Sequence, residues 1–499
     1  VLVILAVLCA TRIPLAPKYL FYFDSVNFSL ALREFNPALH QPQPPGYPLQ
    51  VLFLRMIHVF LPKAEQVQIA AGILTSLLAV VLVGRLGRAM FSSRAGFAGA
   101  LLLLLHPVFW YAGLSNQVRL WLAAGAAAVV LACWRTMMAS DPVRPFLGAC
   151  LLLGVLSGFR PAMLVFLLPL LGYTAWRARP GWRAQMCGGG ILAVAVAAWL
   201  GYTVESAGGW AAYAGLIRGY AADEFSATSS LFGAPAESAW EMFRAAAVWN
   251  LLGVSSWIWA LAVVRPRWDA RGPVFVLWLL PAFLFHAVIH VGDPDHTLIN
   301  IAGLCLLGGA AFDRLGERLT REGFVITNAL GVALNALLFF LPLPGLPGAT
   351  SFRAVEYVDR QTRDTFAAIG ALAKKGPIAI VCYNSFVTYR HVGYYYPEHP
   401  LAVLRQPYNG EVGPEAVWVF HRERLQRVET REDGGVVIPA ARRVVWLLGP
   451  HDHAARAELE RTVDLRQEGP VYWSALEEAG IRFGNYHLVP SPGEDAGKR

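Results

Sequence analysis

The chain has 499 residues, 56% of them hydrophobic and only 15% charged, with a formal net charge of +8. Soluble proteins carry about 25% charged residues. Charge is lost on this scale only where no water solvates it, so the composition excludes an ordinary soluble enzyme and implies repeated bilayer spans. The positive balance does not indicate nucleic acid, because the arginines fall in short clusters between apolar segments, with no basic run or aromatic-basic stripe.

Apolar segments long enough to span, or nearly so, fall near 1–16, 67–84, 95–112, 120–138, 146–158, 161–176, 185–203, 245–264, 273–291, 297–312 and 324–342. The first begins at Val1 and has no A-x-A-like cleavage site after it, so it is expected to be the remains of a span rather than a signal peptide. The pair 146–158 and 161–176 is short and suits one hairpin or a tilted pair. Arginine clusters follow the segments: Arg85, Arg88 and Arg94; Arg135 and Arg144; Arg177, Arg179 and Arg183; Arg265, Arg267 and Arg271; Arg314, Arg318 and Arg321. With these spans all five clusters share one side, which the positive-inside rule makes cytoplasmic.

The other side receives 17–66, 113–119, the turn at 158–161, 204–244, 291–296 and everything after Leu343. Within 17–66, the stretch Gly46 to Phe60 is apolar but carries Gln50, Arg55 and His58, which predicts a helix lying in the interface or packed against the bundle. After Leu341-Pro-Leu-Pro-Gly-Leu-Pro-Gly348 the composition becomes that of a soluble domain. Phe352 to Lys375 is expected to be helical, and Ile378–Tyr383, Ala416–Phe420 and Val444–Leu448 to be buried strands. The expected architecture is a polytopic α-helical membrane protein of about eleven transmembrane helices, residues 1–343, with a C-terminal soluble α/β domain, residues 349–499. Five of the six cysteines lie in apolar segments and none has metal-ligand spacing, so they read as small core residues.

Several polar residues sit at span ends on the outer side. Asp24 follows the aromatic run Leu20-Phe-Tyr-Phe; it or Ser25 would also serve as the cap of a helix running to Arg33. His40 opens His40-Gln-Pro-Gln-Pro-Pro-Gly-Tyr-Pro48, whose prolines hold an extended backbone; alone, this is a rigid turn with one exposed His. Arg119 and Arg160, the latter in Gly158-Phe-Arg-Pro161, suit anion binding, and equally suit snorkelling to lipid headgroups. Asp293-Pro-Asp-His296 would suit a metal or a solvated turn. The spans place Asp24, His40, Arg119, Arg160 and His296 on one face, which predicts a polar cavity there.

This order of features resembles the GT-C superfamily of membrane glycosyltransferases, in particular the family 39 type that includes protein O-mannosyltransferases and lipid A aminoarabinose transferases. Asp24 is similar to the family's acidic residue after the first span. The segment from His40 to Leu49 resembles its His-x-Pro-Pro-like motif, the run Ala70 to Phe91 its second span, and Gly158-Phe-Arg-Pro161 its Gly-x-x-Lys/Arg-Pro-like position. Many relatives carry a second acidic residue near 115–120, where this chain has Arg119 and Leu120; His296 or Glu34 are the residues left to compensate.

The resemblance implies an inverting transferase at the outer face of a bacterial-type inner membrane. It would move a sugar from a polyprenyl-phosphate donor to a hydroxyl of an extracytoplasmic lipid, glycan or protein, with Asp24 as base. His40, Arg119, Arg160, Glu34 and His296 would bind substrate, and Arg119 and Arg160 would hold the phosphate. No cofactor is fixed, and a divalent metal stays open. Two other readings stay open: a transporter or flippase, which calls for ionisable residues near the bilayer midplane and for repeat symmetry, neither of which the sequence displays, and a scaffold that displays the outer α/β domain, which needs no cavity at the membrane face.

Overall fold

The computed structural model describes residues 1–115, 117–264, 269–318, 321–341, 350–383, 387–405, 417–421, 424–428, 435–438, 441–449, 452–484 and 486–490. Arg265, Arg267, Ala416 and the boundary expected between 343 and 349 lie outside them. The chain divides into two compact units, Val1–Lys18 with Ala31–Val355, and Tyr19–Leu30 with Glu356–Arg499.

The helices from the first residue to Phe340 are α1 (Leu2–Arg12), α2 (Phe23–Ala31), α3 (Pro48–His58), α4 (Ala64–Met90), α5 (Ser93–Leu104), α6 (Pro107–Ser115), α7 (Leu120–Met138), α8 (Val143–Ser157), α9 (Ala162–Ala178), α10 (Trp182–Ser206), α11 (Trp210–Thr228), α12 (Ala236–Ser255), α13 (Gly272–Val288), α14 (Leu298–Arg318) and α15 (Arg321–Phe340). Every apolar segment expected to span falls on one or two of these. Among the described residues, α4, α7, α10, Pro294–Arg318 and Glu322–Phe340 are long and apolar enough to cross a bilayer, and α5 with α6 makes a sixth if the bent pair is one span. The helices α1, α8, α9 and α13 are apolar but shorter. Eleven crossings therefore require these four and α12 to span as well.

Three elements differ from the expected segments. The segment 95–112 is broken, with α5 and α6 bent by 53°. Pro107 has no N–H to continue the ladder, and the buried Arg12 at the end of α1 donates from Nη2 to the carbonyl of Leu104 at 2.8 Å, satisfying the last turn of α5. The segment 245–264 becomes α12 and a short 3-10 turn at Ile258–Ala262. There the hydroxyl of Ser255 donates back to the carbonyl of Leu252 at 2.8 Å and competes with the helical backbone. The outer loop 204–244 contains α11, which is not apolar enough to have registered as a span.

The core of this unit is formed by α4, α5, α7 and α14. Four alanines of α7, Ala123, Ala124, Ala126 and Ala127, are fully buried. Helix α14 crosses α5 with almost no side-chain layer between them, since a Cβ on Gly309 would fall 2.4 Å from the backbone nitrogen of Gly99. Small residues permit this approach, and dispersion then acts between backbones.

The second unit contains helix α16 (Phe352–Lys374), which starts within the first unit's last residues. Its seven-stranded sheet has the order β4-β3-β2-β1-β6-β8-β7, from β1 (Ile378–Tyr383), β2 (Leu401–Arg405), β3 (Val417–His421), β4 (Arg424–Val428), β6 (Arg443–Leu448), β7 (Arg466–Glu468) and β8 (Val471–Ala475). The central β1 runs parallel to both β2 and β6, and the outer pairs are antiparallel. A smaller sheet joins β5 (Gly435–Ile438), β10 (Tyr486–Pro490) and β9 (Ile481–Phe483). Central strands read as continuous apolar runs because both faces are covered: Phe366, Ile369 and Leu372 of α16 pack on Ile378 and Ile380 of β1.

Tyr19–Leu30 belongs to this unit by specific contacts. The N–H of Leu20 donates to the hydroxyl of Tyr395 at 3.0 Å, and its carbonyl is 3.2 Å from Nε2 of His391. Tyr19 meets Phe366 and Tyr395 edge-on.

Candidate active site

Arg119 ends the 3-10 turn Gln117–Arg119 and stands at the N-terminus of α7. A cation there opposes the helix dipole and needs anionic partners. They come from the connection between α13 and α14, where Pro294 starts a 3-10 turn, Pro294–Thr297, that places the flanking carboxylates toward one point. Nη1 of Arg119 donates to Asp293 Oδ2 and to Asp295 Oδ1, each at 2.5 Å. The Arg119 side chain is 8% exposed, that of Asp295 is fully buried, and that of Asp293 is 35% exposed.

His296 closes the same turn. Its Nδ1 accepts from the backbone N–H groups of Gly292 and Asp293 at 3.2 and 3.1 Å, so a neutral ring carries its proton on Nε2. Its ring centroid lies 6.0 Å from that of His290 and 6.2 Å from that of His286. Nδ1 of His290 is 3.3 Å from the Thr228 hydroxyl, and its Nε2 is 3.8 Å from a carboxylate oxygen of Glu224. Burial pushes the His290 pKa down to about 4, helped by the positive charges of Arg119 and Arg160 and opposed by Asp293. His290 is therefore neutral at pH 7, and its approach to Glu224 is not an ion pair.

Arg160 lies in the connection between α8 and α9. Its Nη1 donates to the hydroxyl of Tyr47 at 2.9 Å, and the guanidinium sits 5.1 Å from the ring centroid of Tyr47. Tyr47 is held by the proline-rich loop. Gly46 takes φ 113° where a Cβ would fall 2.6 Å from a methyl of Thr203; Tyr213 donates to the carbonyl of Pro45 at 3.0 Å, and Leu49 N–H donates to the carbonyl of Gly158 at 3.2 Å. The loop is thereby fastened to the turn that carries Arg160.

Of the residues singled out in the sequence, Arg119 and His296 share one cluster through Asp293, while Arg160 is bonded to Tyr47 and its charge, like that of Arg119, bears on His290. His40 is buried and caps the 3-10 turn Pro37–Leu39 with φ 54°, rather than standing exposed. Glu34 is half-buried in the segment after α2. Asp24 is the second residue of α2, half-buried, in the stretch that belongs to the second unit. Helix α2 begins at Phe23, so Asp24 occupies its first turn instead of the cap position. Sequence reasoning missed Asp293 and Asp295 as partners of Arg119, Tyr47 as partner of Arg160, and Glu224 beside His290. The Asp-Pro-Asp-His run was visible, but nothing local linked it to an arginine 174 residues away.

A divalent metal does not fit this cluster as it stands. The two carboxylates that could bind one already surround the Arg119 guanidinium, and among the described residues no group of three or more His, Cys, Asp or Glu side chains is arranged around a common point.

No protein-family model matches the sequence, and no curated protein matches it. Solved structures do match. ArnT from Cupriavidus metallidurans bound to undecaprenyl phosphate superimposes with a TM-score of 0.63 at 14% identity, over 95% of this chain and 96% of that one. The apo state of the same protein gives a TM-score of 0.56 at 14% identity over the same shares. An Archaeoglobus fulgidus oligosaccharyltransferase in complex with Zn and sulfate matches at a TM-score of 0.41 and 12% identity, over 82% of this chain and 62% of that one. The chain thus has, along nearly its whole length, the fold of ArnT.

Proposed function

We propose that the protein is an integral membrane glycosyltransferase that moves a sugar from a polyprenyl-phosphate donor to a hydroxyl of an extracytoplasmic acceptor. What supports this reading is the fold, shared over 95% of the chain with a protein solved with undecaprenyl phosphate, together with two arginines, Arg119 and Arg160, whose positive charges both bear on His290. Arg160 is bonded to a neutral phenol, so its full charge remains for a phosphate, which a guanidinium can bind bidentately. Arg119 is already matched by two carboxylates and contributes a fixed donor rather than free charge.

In the proposed reaction the acceptor oxygen attacks C1 of the sugar as the bond from C1 to the phosphate oxygen breaks. The electron pair leaves with polyprenyl phosphate, and the acceptor proton passes to Asp24. One displacement inverts the anomeric centre. The phosphate is a good leaving group, so this chemistry needs one carboxylate where glycoside hydrolysis needs two. A carboxylate is a weak base toward an alcohol, so the proton moves late, once the oxygen has become acidic. His40, Glu34 and His296 are assigned to substrate binding. The arginine clusters, read by the positive-inside rule, support an active site on the periplasmic or extracellular face.

The test is a membrane assay with a panel of labelled polyprenyl-phosphate sugars. Wild-type membranes should transfer label from at least one donor, and Asp24→Asn should lower the rate by about 100-fold or more. Undiminished transfer by Asp24→Asn would remove the base assignment, and release of free sugar or unchanged donor across the whole panel would remove the reaction.

A further inference from the structure

The first unit has a polar cavity at the other end of α14 from the Arg119 clamp. The 21 residues of α14 separate the two. At 1.5 Å per residue this is about 30 Å, the thickness of the hydrocarbon core of a bilayer. The cavity measures about 740 Å³ and opens where the starts of α5 and α13 meet the last turns of α14 and the residues after α12. Its charged lining is Arg271, Arg314 and Arg318 with Asp313 and Glu317, and Nε of Arg271 also lies 3.5 Å from a carboxylate oxygen of the exposed Asp269.

The partners of these groups define the chemistry further. The hydroxyl of Ser92 donates to Asp313 at 2.5 Å, which ties one of the acids to the start of α5. Arg318 donates from Nη1 to the carbonyl of Val263 at 2.7 Å, a neutral partner that orients the guanidinium without cancelling its charge. Arg271 lies over the Phe91 ring, 4.9 Å from its centroid, immediately before the N-terminus of α13, whose dipole adds to the positive field. Beside these cations Leu261 and Val263 are 39% and 47% exposed, large apolar side chains at the rim of a charged cavity. A soluble phosphate would leave that apolar rim in water, whereas a phospholipid covers it with acyl chain.

We propose that this cavity seats the headgroup phosphate of an anionic phospholipid from the leaflet on that side, with Arg271, Arg314 and Arg318 as donors and Leu261 and Val263 against its chains. A basic pocket between helix ends at the membrane surface is the arrangement that favours anionic headgroups. The site is independent of the glycosyl transfer and some 20 residues of helix away from it.

The experiment is native mass spectrometry of the full-length chain in detergent, titrated separately with phosphatidylglycerol and phosphatidylcholine. The wild type should retain phosphatidylglycerol in preference. The Arg314→Gln/Arg318→Gln variant should bind it about thirty-fold more weakly, from roughly a factor of five per arginine, while Arg314→Lys/Arg318→Lys stays close to the wild type. Arg271→Gln, measured alone, should weaken the same lipid in a protein whose α14 is untouched. Equal retention of the two lipids by the wild type overturns the proposal, as does a Gln variant that binds like the wild type. Displacement of the lipid by inorganic phosphate alone would make the cavity a site for a soluble anion and also overturn it.

Discussion

The guanidinium of Arg119 meets the carboxylate of Asp295 at 2.5 Å, with 8% of the one side chain exposed and none of the other. Removing one partner of such a pair leaves the other as an uncompensated buried charge, at a cost of about 3–5 kcal/mol. Asp295→Ala leaves Arg119 with the partly exposed Asp293 alone, so it should lower the unfolding stability of the detergent-solubilised protein by less than that, about 1–3 kcal/mol. Asp293→Ala, at a position a third exposed, should lower it distinctly less. The double variant Arg119→Met/Asp295→Leu should recover part of the loss; thermal unfolding of the four proteins in one detergent checks the order.

The bond from Arg160 to Tyr47 divides a charge effect from a positioning effect. Tyr47→Phe removes the bond that the Arg160 guanidinium donates to a neutral phenol but leaves the charge in place, and should raise the donor KM by about two- to ten-fold. Arg160→Ala removes the proposed phosphate ligand and should raise it by about ten- to a hundred-fold. Steady-state kinetics over donor concentration separates the two, and an unchanged KM in Arg160→Ala would place the phosphate elsewhere.

His391 predicts the acid sensitivity of the second unit. Its ring is buried, with Nε2 facing the Leu20 carbonyl and Nδ1 the Thr388 hydroxyl at 2.9 Å. Burial pushes its pKa from 6.5 down to about 4, against the raising effect of backbone carbonyls. The unfolded chain thus binds this proton at a higher pH than the folded one. The stability His391 contributes is present above pH 6.5 and is lost as pH falls toward 4, to a total on the order of 3 kcal/mol. Melting curves between pH 7.5 and 4.5 should show the decline, and His391→Gln should flatten it over that window.

Gly309 tests the closeness of α14 and α5. A Cβ there would come within 2.4 Å of backbone, which cannot rotate away, so Gly309→Ala should destabilise the first unit by about 1–3 kcal/mol or more. Gly189→Ala in α10 has no atom within 4 Å of the new Cβ and should be neutral or slightly stabilising. Comparison of the two melting temperatures isolates the packing effect from helix propensity.

Much of the helical framework was legible in the sequence, because hydropathy is a local property and a span needs only its own residues to declare itself. Ile378–Tyr383 was legible for the same reason: an apolar run between turn signals forms a strand covered on both faces. The break before Pro107 was less so, because its stability depends on Arg12 reaching the carbonyl of Leu104, 92 positions away. Helix α11 was hidden by a composition too polar to register as a span.

For the site, sequence by itself singled out the polar residues expected on the outer face: Asp24 and His40 in the loop after the first apolar segment, and Arg119, Arg160 and the Asp-Pro-Asp-His run at the ends of later ones. Tertiary structure alone decided their partners. It matched Arg119 to Asp293 and Asp295, set Arg160 on Tyr47, turned His40 into a buried cap, and assigned Tyr19–Leu30, with Asp24, to the unit of the C-terminal strands. The physical reason is the range of the signal. Burial and helical periodicity are written into neighbouring residues, whereas charge pairing is satisfied by whichever opposite charge the folded backbone brings within reach.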